Sequence, residues 1–465
     1  MENYFRLSDK FNPNYVAEFV KIDNVRKHPE ADALDLVTIY GNDIVVAKNS
    51  VKIGDTMIYC PVESVLSKDF LSALNQFRDK ELNANKESKG GFFEHHGRVK
   101  AVRLRGIPST GFLFPITWFN EFVQDNSVDF NCENGQKFDT FNNQLIIKKY
   151  LPKRSNANLD GGSGKSKYQR RLRLFDKLVE NQFHFHKDTE QMARNMHVLY
   201  PNTIIQISKK YHGTSAIFSH ILVNKKLSWV EKLLSFFGVN IVNKEYDYIY
   251  SSRKVIKNRY INPFVKDYYS TDVWGQAMEV VKPFLTKGLS IYAEVVGYEK
   301  DTAKFIQDGH DYGCAEGEFK IKIYRITQTS EDGTVYEFTA RQVEEWCKLK
   351  GLEAVKELYY GRADDVFLQQ NCGTYSELEN EENEEFLRQW RSEWLENMQK
   401  NKDLYFMELD DPECQNAVPF EGLVIRLDKL GIESYKLKTK KHLLWASKKQ
   451  DEGALDMEEQ EEEAD

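Results

Sequence analysis

Paired cysteines are missing from this chain. Its six cysteines, Cys60, Cys132, Cys314, Cys347, Cys372 and Cys414, are scattered with no close pair, which argues against a zinc site and gives no disulfide framework. No run of about 18 apolar residues occurs, so no membrane span is expected. The start, Met1-Glu2-Asn3-Tyr4, lacks a signal-peptide pattern, and the chain reads as soluble and intracellular. An excess of positive charge is missing too: 64 Lys and Arg stand against 72 Asp and Glu, for a net charge of -8. Residues 451–465, however, hold nine of those acids and no Lys or Arg, so the rest of the chain balances 64 against 63, or +1. A neutral body binds a polyanion only through local basic patches, and salt weakens such binding strongly. The acidic tail, 449–465, reads as disordered. With 465 residues and 41% hydrophobic content, there is room for two to three domains with substantial cores.

Against these absences stand four short segments in a fixed order. They are Lys210-Tyr211-His212-Gly213-Thr214-Ser215, Tyr292-Ala293-Glu294-Val295-Val296-Gly297, Glu421-Gly422-Leu423-Val424-Ile425-Arg426, and Tyr435-Lys436-Leu437-Lys438. Together they supply a lysine nucleophile, two acids on strands and a strand with paired lysines, the equipment for attacking a nucleoside triphosphate. A free lysine has a pKa of about 10.4, so only about one in 2500 is neutral and nucleophilic at pH 7. Neighbouring cations disfavour a further positive charge and would lower that value. Lys436 and Lys438 can act in this way, because the two-residue period of a strand puts both on one face while Tyr435, Leu437 and Thr439 take the other. The same pair would neutralise a triphosphate as its charge moves. Ile204 to Ser208 is rich in β-branched residues, which places Lys210 just past a strand end, with Gly213 allowing close backbone approach to a ribose or phosphate. Leu423, Ile425 and Leu427 alternate with Val424 and Arg426, putting Glu421 at the mouth of a strand. Glu294 lies in the apolar run from Leu289 to Val296, where a carboxylate must be paired or metal-bound.

In this order the segments resemble motifs I, III, IV and V of the covalent nucleotidyltransferases, the superfamily of RNA ligases, DNA ligases and capping enzymes. Lys-x-His-Gly looks like the RNA ligase form of motif I, since DNA ligases and capping enzymes usually carry Asp where His212 stands. The stretch Gln182-Phe183-His184-Phe185-His186-Lys187-Asp188-Thr189, with Ser251-Ser252-Arg253-Lys254, Asp311-Tyr312-Gly313-Cys314 and Tyr324-Arg325-Ile326, is similar to RNA ligase family five, nick-sealing enzymes with an N-terminal OB-like domain. The resemblance runs from about Val16 to about Leu444.

It implies an ATP-dependent RNA ligase in which Lys210 becomes the lysyl-adenylate. His212 and Gly213 would belong to the nucleotide site, and Arg253 would contact the ribose or the RNA strand. Glu294 would hold a ribose hydroxyl, Tyr324 would stack on adenine, Glu421 would bind Mg2+ or Mn2+, and Lys436 and Lys438 would grip phosphates. Lys209 replaces an acid common in relatives, and strand alternation turns it away from the cleft into solvent. Arg325 stands where many relatives have Asp. The implied partner is nicked or broken RNA, including an RNA/DNA hybrid duplex, met by a monomer in a bacterial cytoplasm or, for a phage-encoded enzyme, in that of the host. The alternatives are a capping guanylyltransferase or DNA ligase, or a non-catalytic RNA-end-binding protein. Only 27 residues follow Lys438 (465 minus 438), too few for the C-terminal OB domain of capping enzymes and DNA ligases.

The expected class is α+β: an OB-like β-barrel over 1–150, with an insertion near 68–98, a flexible basic linker over 151–180, and an ATP-grasp-like adenylyltransferase domain of antiparallel sheets and flanking helices over 181–448. Strands are expected within Tyr15 to Val25, Leu34 to Tyr40, Ile44 to Ala47 and Thr56 to Cys60, with a turn at Gly41-Asn42-Asp43. Such short, evenly spaced strands suit a small barrel. In Val99 to Arg105, Lys100 projects to one side and Arg103 and Arg105 to the other, a basic strand assigned to nucleic-acid binding. Within the insertion, Asp69 to Asn85 has helical spacing and Lys86 to Gly91 reads as a flexible loop. Gly161 to Ser166 imitates a phosphate loop, but Leu159 occupies the position of its first glycine, so a linker is expected. Two apolar stripes at helical spacing, Leu227, Val230, Leu233, Leu234 and Phe237, and Leu387, Trp390, Trp394 and Met398, read as core or domain packing, with partner binding as the alternative.

Overall fold

The computed structural model describes residues 4–125, 127, 130, 132–151, 177–258, 269–370, 384–400, 409–429 and 433–453. Most of the expected linker, Gly161 to Ser166 included, and the tail beyond residue 453 lie outside these. Residues 449–451, assigned to the tail, instead finish the helix Lys440–Asp451. At the linker's end, Leu178 already bridges Val223 of the second domain. Among the described residues, no helix is long and apolar enough to cross a membrane.

In the N-terminal domain, the strand Ala17–Lys21 is buried on both faces. Phe19 joins an aromatic-rich core with Phe5, Phe70, Phe114, Phe119, Phe138 and Phe141, while Val20 joins a second core with Val37, Ile44 and Met57. That strand sits between Thr56–Cys60 and Lys137–Phe138, and Phe112–Pro115 completes the sheet. The strands Leu34–Ile39 and Asn42–Ala47 form a hairpin whose two-residue turn is Tyr40-Gly41, one residue earlier than expected. Both turn residues have positive φ, 52° and 72°, the backbone that matches the twist of a tight hairpin.

The insertion departs from its expected form. Its helix covers only Lys68–Ala73, capped by Ser67, and Asn75 at φ 56° follows its end. Asn83 then clamps Phe77, accepting from its N–H at 3.0 Å and donating to its carbonyl at 2.9 Å. Phe70, Leu71, Leu74, Phe77 and Phe93 are all buried in the aromatic core. The segment is thus part of the domain's interior, because its apolar side chains outweigh the flexibility of the Gly90-Gly91 loop.

The second domain is built on two antiparallel sheets. One has the order Glu190–Gln191, Ser434–Lys438, Gly422–Leu427, Ile204–Lys210 and Glu357–Arg362, with only the first pair parallel. The other runs Lys244–Ser251, Thr214–Asn224, Leu289–Gly297, Phe319–Thr329 and Val335–Glu337. Each buries its outer face under helices. Val273–Val281 and Ala340–Lys350 cover the second sheet through Trp274, Met278, Val343 and Cys347. Glu384–Lys400 covers the first through Trp390, Trp394 and Met398, as that stripe predicted. The other stripe behaves differently. Helix Trp229–Phe236 buries none of its residues, leaving Trp229 77% and Phe236 83% exposed. It lies between the far ends of the paired strands Thr214–Asn224 and Lys244–Ser251.

The domains meet through a buried ion pair, Glu18 with Arg194 at 2.8 Å, and through Asn14, which donates to the Thr189 carbonyl and accepts from the Gln191 N–H. Helix Lys440–Asp451 returns from the second domain to the first, where Arg98 donates to the Ser447 carbonyl at 3.0 Å and Lys100 pairs with Asp451 at 2.9 Å.

Candidate active site

The inner faces of the two sheets line a cleft of about 850 Å³. Alternation decides what each strand offers. Ile205 and Ile207 go to the core, while Gln206, Ser208 and Lys210 line the cleft. Leu423, Ile425 and Leu437 are likewise buried, which leaves Val424, Arg426, Lys436 and Lys438 inward. From the opposite sheet come Ser215, Glu294 and Tyr324. The structure therefore gathers Lys210, His212, Gly213, Arg253, Glu294, Tyr324, Glu421, Lys436 and Lys438 around one cleft. Arg103 and Arg105 are not among its lining. Arg103 is exposed on the strand Ala101–Leu104 and bonds the Gly106 carbonyl at 2.7 Å. Arg105 lies past the strand end at φ 45°, so the two do not share a strand face, and Lys100 precedes that strand.

Lys210 Nζ lies 2.8 Å from Glu421 Oε1. Burial pulls the amine's pKa down, but the carboxylates of Glu421 and Glu294 outweigh burial and Lys438 together, and the net direction is upward. This corrects the expectation of a depressed value: in this state Lys210 is an ammonium held by Glu421. Burial alone would raise the Glu421 carboxyl, yet Lys210 and the nearby histidines and Lys438 hold it well below the usual range. Its other oxygen, Oε2, is buried with no hydrogen-bond partner among the described residues. Of the two cleft lysines Lys210 and Lys436, it is Lys436 whose pKa is depressed. Burial, then Lys438, Arg253 and Lys210, bring it down to about 7.

Glu294 Oε1 accepts the Gly213 N–H at 3.1 Å. Gly213 owes its identity to the sheet, since a Cβ there would sit 2.3 Å from the Val295 carbonyl oxygen. Arg253 donates to Asp188 at 2.5 and 3.1 Å, and despite its burial this pairing lowers Asp188 to about 2. The Tyr324 hydroxyl lies 3.3 Å from His186 Nδ1 and 3.4 Å from Ser215 Oγ. Arg325, stacked 4.1 Å over Tyr292, pairs with Glu337 at 3.0 Å. His212 meets the rings of His310, His442 and Trp445. Burial and then His212 bring His310 down to about 4, and burial holds His442 well below the ordinary histidine range, so these two rings are neutral at pH 7.

Lys209 is not solvated. It is 2% exposed and pairs with the buried Asp411 at 2.6 Å and with Glu413 at 3.4 Å, with Tyr211, Tyr312 and Phe420 around its ammonium. Alternation did turn it away from the cleft, but toward a loop that carries its own acids. Sequence reading also passed over Glu63, Lys149, Asp188, His186, His442 and Trp445, all of which line the cleft. Only Asp188 and His186 lay in a quoted motif; the others come from the N-terminal domain or the last helix, with no local signal.

A divalent ion fits this site in a particular way. Among the described residues no group of three or more His, Cys, Asp or Glu is arranged to hold one, while Glu421 Oε2 is an unsatisfied buried acceptor. One carboxylate completed by substrate phosphates and water is a usual Mg2+ arrangement.

An OB-fold domain family model matches residues 16–116. No curated protein matches the sequence. Among solved structures, RNA ligase from Naegleria gruberi shares the fold. A lysine-to-alanine variant with ATP and manganese aligns at TM-score 0.51 and 14% identity over 94% of this chain and 99% of that one. The same ligase with pyrophosphate gives TM-score 0.51 and 14% identity over 95% and 99%. A lysine-to-methionine variant with AMP and manganese gives TM-score 0.51 and 14% identity over 92% and 97%. The chain thus has the α+β fold of that RNA ligase over nearly its whole length, with an OB-fold domain at its N-terminal end.

Proposed function

We propose that this protein is an ATP-dependent RNA ligase that joins 5′-phosphate and 3′-hydroxyl ends at nicks in duplex RNA or RNA/DNA hybrid. The observation that carries the reading is a lysine amine 2.8 Å from a buried acid, in a cleft that also holds two inward lysines from the strand Ser434–Lys438 of the same sheet. Lys210 Nζ attacks the α-phosphorus of ATP. Lys210, an ammonium at rest, first gives one proton to solvent; its neutral amine then forms the N–P bond, the bridging P–O bond to the β-phosphate breaks with its electron pair leaving on pyrophosphate, and a second amine proton passes to solvent. AMP then moves from Lys210 to a 5′-phosphate, and a 3′-hydroxyl displaces it to seal the strand.

Lys436 and Lys438 neutralise the phosphates, Tyr324 offers its ring to the base, and Glu294 fixes the Lys210 loop through the Gly213 N–H. Glu421 is the residue that would hold Mg2+ or Mn2+ through its unpartnered Oε2, and such a cation would supply positive charge to share that of the triphosphate and to compete with Lys210 for the carboxylate. The fold shared with a Naegleria ligase studied with ATP, AMP, pyrophosphate and manganese supports this reading.

The test is incubation of the protein with α-labelled ATP, GTP or NAD and a divalent metal. Label from ATP alone that survives denaturation and alkali, is lost in hot acid as an N–P bond requires, and is removed by pyrophosphate is the expected result. Label from GTP would move the protein to the capping class, and no label from any nucleotide would favour an RNA-end-binding protein.

A further inference from the structure

One carboxylate in the cleft has no part in that chemistry. Glu63 belongs to the OB-fold domain, between the strands Thr56–Cys60 and Ser64–Leu66, yet its side chain reaches the lysine strand of the other domain. Its two oxygens lie 3.2 and 3.4 Å from Lys438 Nζ, and Oε2 also accepts from the Tyr15 hydroxyl at 3.3 Å. Burial pushes its carboxyl up, but Lys438, Lys149 and Lys436 together hold it below the ordinary range, so it is an anion among cations. Its backbone is fixed: the N–H donates to the Val99 carbonyl at 3.0 Å, and the carbonyl accepts from the Tyr150 N–H at 2.7 Å. The residue sits at φ 67°, a region that glutamate seldom adopts.

We propose that Glu63 occupies Lys438 in place of a phosphate and competes with pyrophosphate for it, so that the OB-fold domain sets how readily the leaving group departs. The inference rests on the reading of Lys438 as a phosphate-binding residue. Lys438 cannot give its full charge to both anions, and a backbone pinned at both polar groups keeps the carboxylate at the cleft. When pyrophosphate forms, Glu63 repels it and reclaims the lysine as it leaves. Reversal, in which pyrophosphate attacks the lysyl-AMP, is disfavoured by the same contact.

The test uses the full chain and sodium pyrophosphate. Calorimetric affinity is measured for the wild type and for Glu63→Gln and Glu63→Asn. Asparagine tolerates positive φ better than glutamate does, so the second variant guards against misfolding of the first. A unit charge about 6 Å from the phosphates, at an effective dielectric between about 20 and 80, changes affinity between about 3-fold and 100-fold. Tightening of about tenfold is expected in both variants, with a matching fall in the pyrophosphate needed to strip label from the protein. In a Lys438→Met background the effect of Glu63→Gln should shrink. Unchanged affinity in both variants overturns the inference, as does an undiminished effect without Lys438. Absence of label from ATP would instead overturn the ligase reading, whatever the calorimetry gives.

Discussion

Two lysines adjacent in sequence occupy opposite faces of one strand, and the faces impose different lives on them. Lys209 is enclosed by Asp411, Glu413 and three aromatic rings; Lys210 faces a cleft and shares one acid that has other uses. A buried charge with dedicated partners is a structural part, because removing either side leaves an uncompensated ion. A charge whose partner can be drawn away by a ligand is a reactive part. The strand's two-residue period is what allows both in consecutive positions.

Changing the reactive lysine should give the largest effect. Lys210→Arg keeps the pairing with Glu421 but removes the nucleophile, and labelling from ATP should fall by more than about a thousandfold while the melting temperature stays near that of the wild type. A melting temperature that collapsed with the label would erase the distinction between the two faces. Lys209→Met should do the opposite, costing about 3–5 kcal/mol of stability in urea titrations because Asp411 is left buried and unpaired. Labelling per folded molecule should persist, and Lys209→Met with Asp411→Leu should recover much of the loss.

A pH series sharpens the contrast on the cleft side. Lys436 has a pKa of about 7 in the folded protein against about 10.4 when unfolded. Between those values the unfolded chain binds more protons, so for this group stability rises with pH across that window, and the cost of its charge is fully present below pH 7. Polyphosphate binding restores the proton. Pyrophosphate affinity should therefore weaken above pH 7, by at most about tenfold per pH unit, and Lys436→Arg should flatten the slope. The smallest effect is expected at cations that face neither core nor cleft: Arg103→Ala with Arg105→Ala should weaken binding of nicked duplex about two- to fivefold and reduce its salt dependence, leaving ATP labelling unchanged.

Much of the cleft was legible because alternation is a local rule. Leu423, Ile425 and Leu437 went to the core, and Val424, Lys436 and Lys438 to the cleft, as their spacing required. Partners remote in the chain were not legible. Asp411 lies 202 residues from Lys209 and Glu63 lies 375 from Lys438, and no pattern within a strand announces them. Periodicity was similarly mute about what covers an apolar stripe. Trp390 and Trp394 lie against a sheet, whereas Trp229 and Phe236 meet solvent. The insertion failed for another reason, since Asn75 and the Asn83 clamp divide what looked like one helix.

The helix Lys440–Asp451 has a practical consequence for shortening the chain. It places His442 and Trp445 in the cleft and ends on Arg98 and Lys100 of the OB-fold domain. A cut after Lys438 would keep every motif residue and still remove a cleft wall together with a strut between the domains, whereas a cut after Gly453 would spare both.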